Sequence, residues 1–375
     1  MKRKVLVCAP GYYGIDTDIK GAFEYAGYEA VLKNYRIKFS FIENICRIVG
    51  IKYPFMKPIL NRVIKFYLDQ ENMEFIDSVL KEKPDLLFIV KGDHLFPATL
   101  KKLKQFSDCR IAGYAWDDPF YSDKNNLQDD FRRSNFSNGM QWYDHIFVFD
   151  THYVEEIRKR GARSVSYLPL ATNPKRYREI TVSQQDREHF SYDVCFIGVP
   201  FPNRVDIFEN LSEYNLGVFG DHWKKYFMKK GQKTPFYYKG KAAGETVNKI
   251  YLCSKIVLNI HHPHSIEGLN TRTFDIPACG AFEVVDHIKN VERHFEVDKE
   301  IVTFKDMKEL KRKIDYYLKH DDIRQAIAGE GKQRVVNDHT WEKRIADVIA
   351  TMQPHINSIP VSRTDSSRDL PQAMT

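Results

Sequence analysis

No window of this chain approaches the roughly 20 consecutive apolar residues that crossing a bilayer requires. The basic opening MKRKVLVCAPGYYG is interrupted by Pro10 and Gly11 well short of a signal-peptide core, so it reads as a first strand and not as a leader. Cysteine is sparse: six residues, at 8, 46, 109, 195, 253 and 279, without CxxC spacing. That scatter removes the common zinc and thiol-redox frameworks and suits a reducing, cytoplasmic setting. Glycine (19) and proline (16) are too few for a low-complexity or collagen-like chain. Neither a repeat with a period of 20 to 50 residues nor a recognised nucleic-acid-binding motif is present, which sets aside solenoids and sequence-specific nucleic-acid readers.

What remains is an ordinary globular composition, 43% hydrophobic and 29% charged, in a chain of 375 residues. That length exceeds what one core usually organises, so two domains of comparable size are expected. The net charge of +7, from 57 Lys plus Arg against 50 Asp plus Glu, suits anionic partners without identifying them. Its distribution is more specific. Residues 33–68 carry Lys33, Arg36, Lys38, Arg47, Lys52, Lys57, Arg62 and Lys65 against the single acid Glu43, interleaved with aromatic residues. Such a stretch fits an anionic glycan, a protein chain or the surface of an acidic membrane; equally, its aromatics fit a core with wet lysines around it.

Strand-like apolar runs alternate with helical segments. VLVCAP, YEAVL, DLLFIVKG (85–92), RIAGYAW (110–116) and HIFVFD (145–150) precede a short helix starting at Thr151 as N-cap and ending at Gly161, and VSYLPLA closes the series. A polar stretch, 173–190, reads as a linker. The pattern restarts with YDVCFIG (192–198), LGVFG and KIVLNI (255–260). Such alternation predicts an α/β fold of two Rossmann-like doubly wound parallel-sheet domains, 1–172 and 191–338, facing across a cleft. A helix over 339–356 is expected to cross back to the first domain, and a tail over 357–375 to be disordered.

In open α/β sheets ligands bind at the carboxyl ends of strands. The stretch 255–286, KIVLNIHHPHSIEGLNTRTFDIPACGAFEVVD, runs from strand through polar loop to helix, glycine and strand. A helix starting near Thr271 would turn free backbone N–H groups and Arg272 toward an anion such as a diphosphate. Glu267 in the loop and Asp275 in the helix, with seven residues between them, can address different ends of one ligand, although Arg272 and Asp275 also have the spacing of a plain helical ion pair. The histidines of HHPH, His261, His262 and His264, lack the further ligands that tetrahedral zinc would need, and read as loop residues lining the cleft.

The order of strand, loop, paired acids and ACGAF turn resembles the nucleotide-sugar motif of retaining glycosyltransferases of GT-B architecture. More narrowly, GLNTRTFDIPACGAF, YAWDDP (114–119), FVFDTHYVEEIRKRGARSVSYLPLA (147–171) and YDVCFIGVPFPNR (192–204) are similar to the CgeB-like family, a likeness covering most of residues 85–350. The resemblance implies an acceptor domain followed by a nucleotide-sugar domain, with transfer of a sugar from a nucleotide-diphosphate sugar to a hydroxyl of a protein, glycan or lipid-linked acceptor in bacterial glycoconjugate or surface-protein glycosylation. It implies Glu267 near the donor sugar, Asn270, Thr271 and Arg272 at the diphosphate, and Arg204 neutralising the leaving group. Asp275 stands where the family has Glu contacting the ribose, a shorter side chain than expected. Tyr238, Lys239 and Gly240 fall at the expected base-binding loop, and Gly11 and Gly14 of GYYG under the phosphates.

His94 and Asp118, each after a first-domain strand, are candidates for the sugar, the acceptor or proton transfer. Arginines and helix N–H groups can meet the charge on a departing diphosphate in place of a metal ion. No cofactor beyond the donor is therefore expected, and the nearest substitute for an Asp-x-Asp metal motif is taken to be Asp117-Asp118. Contact with the inner membrane face through residues 33–68 is a further expectation, and specific nucleic-acid binding is not. The alternatives on the same architecture are a nucleotide-sugar epimerase and a non-catalytic nucleotide-sugar-binding morphogenetic protein.

Overall fold

The computed structural model describes residues 2–11, 14–35, 45–46, 48–50, 52–120, 135–263 and 265–358. Two six-stranded parallel sheets organise them. The first contains β1 (Lys4–Pro10), β2 (Glu29–Tyr35), β3 (Leu86–Val90), β4 (Arg110–Ala115), β5 (His145–Val148) and β6 (Val165–Tyr167), in the order β2-β1-β3-β4-β5-β6. Its helices are α1 (Ile15–Tyr25), α2 (Lys57–Glu82), α3 (Pro97–Phe106) and α4 (Tyr153–Lys159). The second contains β7 (Val194–Ile197), β8 (Leu216–Phe219), β9 (Tyr238–Gly240), β10 (Ile256–Asn259), β11 (Glu283–Asp286) and β12 (Val302–Phe304), in the order β12-β11-β10-β7-β8-β9. Around it lie α5 (Gln184–Phe190), α6 (Pro202–Asn210), α7 (Trp223–Lys229), α8 (Glu245–Cys253), α9 (Arg272–Ala278), α10 (Val291–His294), α11 (Met307–Tyr317), α12 (Asp321–Asp338) and α13 (Trp341–Asn357).

Central strands such as β3 are buried at every residue, as they must be when helices cover both faces of a parallel sheet. Strand order reverses between β1 and β3 in one sheet and between β7 and β10 in the other. These two switch points open crevices at the strands' carboxyl ends.

The structure departs from the sequence reading in four places. The stretch 173–190 is not featureless, because Ser183 and Asp186 form a capping box that starts α5. Tyr238–Gly240 is an edge strand and not a loop. Thr151 does not cap α4, whose N-cap is His152; the Thr151 hydroxyl is committed to Glu267 instead. Residues 357 and 358 belong to the end of α13, while 359–375, the rest of the expected tail, lie outside the described residues.

Helix α13 packs on the first sheet. Ile345, Val348 and Met352 join its core, Trp341 meets Tyr114 edge-on at 6.5 Å, and Arg110 Nε donates to the His355 carbonyl at 2.7 Å. The same core takes in Leu269, Phe274 and Val285 from the second half, so the halves share apolar packing.

They pack tightly at Gly268, where an added Cβ would lie 2.8 Å from both the Asp150 Cβ and the Phe149 ring. We predict that Gly268→Ala lowers stability by about 1–3 kcal/mol, the usual cost of overpacking, read as a fall in melting temperature. In contrast, Gly21→Ala, which meets no atom within 4 Å in α1, should raise it by roughly 0.5–1 kcal/mol.

Candidate functional site

At the switch point of the second sheet, β7 ends at Ile197 and β10 at Asn259. Two arginines reach into this gap. Arg272, the first residue of α9, donates to Asn259 Oδ1 (3.0 Å) and to the carbonyls of Ile260 (3.1 Å) and Ile197 (3.3 Å). Arg204, on α6, donates to the carbonyls of Val199 (2.9 Å) and Ile260 (2.7 Å), while its Nε has no partner. Both guanidinium groups lie over the Phe196 ring, at 5.2 and 5.3 Å. Gly198 is needed beneath them, since a Cβ there would stand 2.7 Å from that ring and 3.0 Å from Arg272.

Among the described residues no carboxylate forms an ion pair with either arginine, and the helical pair of Arg272 with Asp275 is not made. Burial, then the neighbouring Arg272, pushes Arg204 down to about 8; burial also lowers Arg272. Two desolvated cations side by side repel each other, and an anion placed against them removes that cost.

A polar network supports the pair. Asn259, fully buried, donates through Nδ2 to Glu283 Oε1 (2.8 Å) and Thr273 Oγ1 (3.1 Å) and accepts from Asn270 (2.9 Å). Burial raises the Glu283 carboxyl well above its ordinary range, and its Oε2 has no partner. Asn270 Oδ1 also accepts from the Thr273 N–H at 3.2 Å. The start of α9 is thus partly capped by its own chain, so the positive charge here comes from the two arginines more than from free N–H groups. Thr271 occupies the N-cap position without a side-chain cap.

Glu267 stands at the seam between the halves. Its carboxylate accepts from the Thr151 hydroxyl and from Lys289 Nζ (2.8 Å); these two bonds, Lys289 first, hold it below the ordinary range and therefore ionised. Asp150, fully buried at the end of β5, fixes the loop by accepting from the N–H groups of Ile266 (2.9 Å), Glu267 (3.0 Å) and His152 (2.9 Å). Sequence reasoning passed over Asp150, Asn259 and Glu283. The one available signal was a polar residue ending or opening an otherwise apolar strand.

Asp275 faces the first half, where it accepts from the Thr172 hydroxyl at 2.7 Å. Burial raises its carboxyl to about 8, against which the Thr172 bond works only partly. The expected ribose-binding carboxylate is therefore a buried, largely protonated acid at neutral pH. Nearby, Arg176 pairs with Asp18 (2.9 Å) and bonds the Gly14 carbonyl (3.1 Å), and Asn173 donates to Asp18 (2.6 Å). Gly14 has φ 74°, which favours glycine, and a Cβ on it would stand 2.4 Å from the end of the Arg176 side chain and push it aside. Gly11 lies against Asn34, and Tyr12 and Tyr13 between the two glycines lie outside the described residues.

The remaining candidates are dispersed. His94 is buried, with Nδ1 3.4 Å from Glu71 on α2, rather than open to the crevice as the sequence suggested. Asp118 accepts from the Phe120 N–H (2.8 Å) and bonds Tyr153, two residues beyond Thr151, while Asp117 pairs with Lys91 (2.6 Å). Asp16-Thr17-Asp18, which also has Asp-x-Asp spacing and was overlooked in favour of Asp117-Asp118, lies at the start of α1 with both acids buried. Among the described residues no group of three or more His, Cys, Asp or Glu is arranged to hold a metal ion. His261 bonds Asp286 (2.7 Å) and His262 meets Phe201 edge-on, while His264 is outside the described residues. On the far edge strand, Tyr238 stacks on Trp223 and donates to the Gly220 carbonyl (3.1 Å), Lys239 lies over Tyr192 at 5.9 Å, and the Gly240 carbonyl accepts from Gly220 N–H (2.8 Å).

Residues 204–350 match the family described as glycosyl transferase-like. The chain is 25% identical to the spore protein CgeB of Bacillus subtilis over 292 residues, 73% of this chain and 85% of that protein. The chain is thus similar to CgeB along most of its length and to glycosyl transferase-like proteins over residues 204–350. Its architecture is GT-B: sucrose-phosphate synthase from Thermosynechococcus elongatus superposes with a TM-score of 0.65 at 10% identity, over 94% of this chain and 99% of that one. HepE from Anabaena, solved in complex with UDP-glucose, superposes at 0.62 and 10% identity, over 94% and 99%. The region that matches the family begins at Arg204 and contains Glu267, Arg272 and Asp275.

Asp275 makes a testable mark on stability. The folded chain retains a proton that the unfolded chain releases once pH climbs past about 4, so this acid costs stability progressively between roughly pH 4 and pH 8. Asp275→Asn should remove that cost. Its unfolding free energy relative to the parent should rise from pH 5 to pH 8, by no more than about 1.4 kcal/mol per pH unit; a flat difference would show that Asp275 is ionised in the fold.

Proposed function

We propose that this chain moves a sugar from a nucleotide-diphosphate sugar to an acceptor hydroxyl carried by a protein, glycan or lipid, with retention at the anomeric carbon. The observation that carries this reading is the buried arginine pair at the switch point of the second sheet, which makes no direct ion pair among the described residues and whose charge nearby Asp286 offsets only in part. Breaking the bond between the anomeric carbon and the diphosphate oxygen leaves negative charge on the diphosphate, and Arg272 with Arg204 behind it meets that charge without a metal ion. The UDP-glucose held by HepE, on the same architecture, supports a nucleotide sugar as donor.

Glu267 is ionised and held at the seam, where it can stabilise the positive charge that develops on the sugar as the bond breaks. Asp118, just past the carboxyl end of β4 in the first half, is assigned to orient the acceptor hydroxyl, whose proton passes to the departing diphosphate oxygen as its own oxygen joins the anomeric carbon. His94, packed against α2, positions that helix and has no direct role. Six free cysteines suit a reducing, cytoplasmic compartment for the reaction.

The burial of Asp275 favours one alternative, a protein that binds nucleotide sugars without turnover. Incubation with UDP-, GDP-, dTDP- and ADP-sugars separates the readings. Transfer or slow hydrolysis should appear with one donor and fall on the order of a hundredfold in Glu267→Gln, with the melting temperature nearly unchanged. Donor binding with no product in the parent would leave only the binding protein. Free sugar epimerised without an acceptor would indicate an epimerase.

A further inference from the structure

Helix α2 has two apolar faces. Leu60, Ile64 and Leu68 are buried in a small core with Cys46 and with Val49, Met56 and Phe96 packed against it. On the opposite side Ile59, Val63, Phe66 and Met73, at the helical spacing of four, three and seven residues, are 58%, 37%, 59% and 61% exposed. Phe55 and Ile48, close by in sequence, are exposed at 79% and 61%. Several large apolar side chains left exposed along one helix face mark a binding face.

The charge around it selects the partner. Residues 44–68 contain Arg47, Lys52, Lys57, Arg62 and Lys65 and no Asp or Glu, whereas Asp69, Glu71 and Glu74 flank Met73, so the positive charge lies with the first three turns of the helix. A second copy of the chain docking by the same face would bring these cations against their equivalents. Apolar side chains in the acyl boundary, with lysine and arginine stems reaching up to phosphates, match an anionic bilayer on both counts.

The placement is also suited to a surface. Asn72 pins α2 to the loop after β3, bonding the His94 carbonyl (2.9 Å), the Phe96 N–H (2.9 Å) and the Thr99 hydroxyl (2.7 Å). The preceding turns, back to Lys57, extend for about 20 Å on the carboxyl-end side of that pin. We propose that this half of α2 is an interfacial membrane-binding element selective for anionic lipid. It does not rest on the assignment of glycosyl transfer, because the test reads partition and not turnover.

Sedimentation of the full chain with vesicles of phosphatidylcholine, and of phosphatidylcholine containing phosphatidylglycerol, tests it. The parent should partition at least about tenfold more strongly onto the anionic vesicles, and high salt should abolish the difference. At roughly fivefold per basic residue, the triple variant Lys57→Gln, Arg62→Gln, Lys65→Gln should lose on the order of a hundredfold. The double variant Ile59→Ser, Phe66→Ser should weaken binding more than about tenfold. Unchanged melting temperatures in both variants would confirm that these exposed positions leave the fold intact. Equal partition onto both vesicles, no binding to either, or a parent dimer that the Ser variants convert to monomer would each overturn the proposal.

Discussion

Two arginines brought to the switch point of one sheet, with backbone carbonyls as their partners, set the terms for the second half of the molecule. Arg272 donates to both Ile197 and Ile260, and so ties the ends of β7 and β10 across the crevice that the reversal of strand order opens. Arg204 shares the Ile260 carbonyl from the other side. Much of the nearby polar structure serves this arrangement: Asn259 orients Arg272, Glu283 and Thr273 orient Asn259, and Gly198 leaves room beneath. Asp286 offsets part of this buried charge without pairing with it directly, and an anionic ligand can meet the rest.

The seam is the second constraint. Asp150 has no solvent exposure and spends its carboxylate on the backbone of the Glu267 loop, so the acid nearest the proposed chemistry is positioned by the opposite half of the chain. Gly268 permits that approach and Thr151 completes it. The seam reaches past the loop, with Thr172 on Asp275 and Asn248 on the Arg176 carbonyl tying the two sheets at further points. In the proposed transfer reaction, this seam would hold the donor side and the acceptor side in register before either substrate arrives.

The sheets were legible because buried parallel strands write themselves as short apolar runs, and VLVCAP, DLLFIVKG and KIVLNI each became the expected strand. Edge strand β9 was not, since its burial is partial and its composition is that of a loop. At the site, the stretch 255–286 holds the right residue types, but spacing cannot say where a side chain turns. Arg272 and Asp275, three apart, had the pattern of an ion pair and instead face different neighbours, one into the crevice and one toward Thr172. Asp150 ends a run, HIFVFD, that reads as strand alone; its role arises only from a loop 116 residues away.

The account stands on the arginine pair as a diphosphate site, and calorimetry addresses it directly by titrating the full chain with a nucleoside, its monophosphate and its diphosphate in the presence of a metal chelator. Affinity should climb steeply from nucleoside to diphosphate and persist without metal. A nucleoside that binds as well as its diphosphate, or diphosphate binding that vanishes with the chelator, would contradict it.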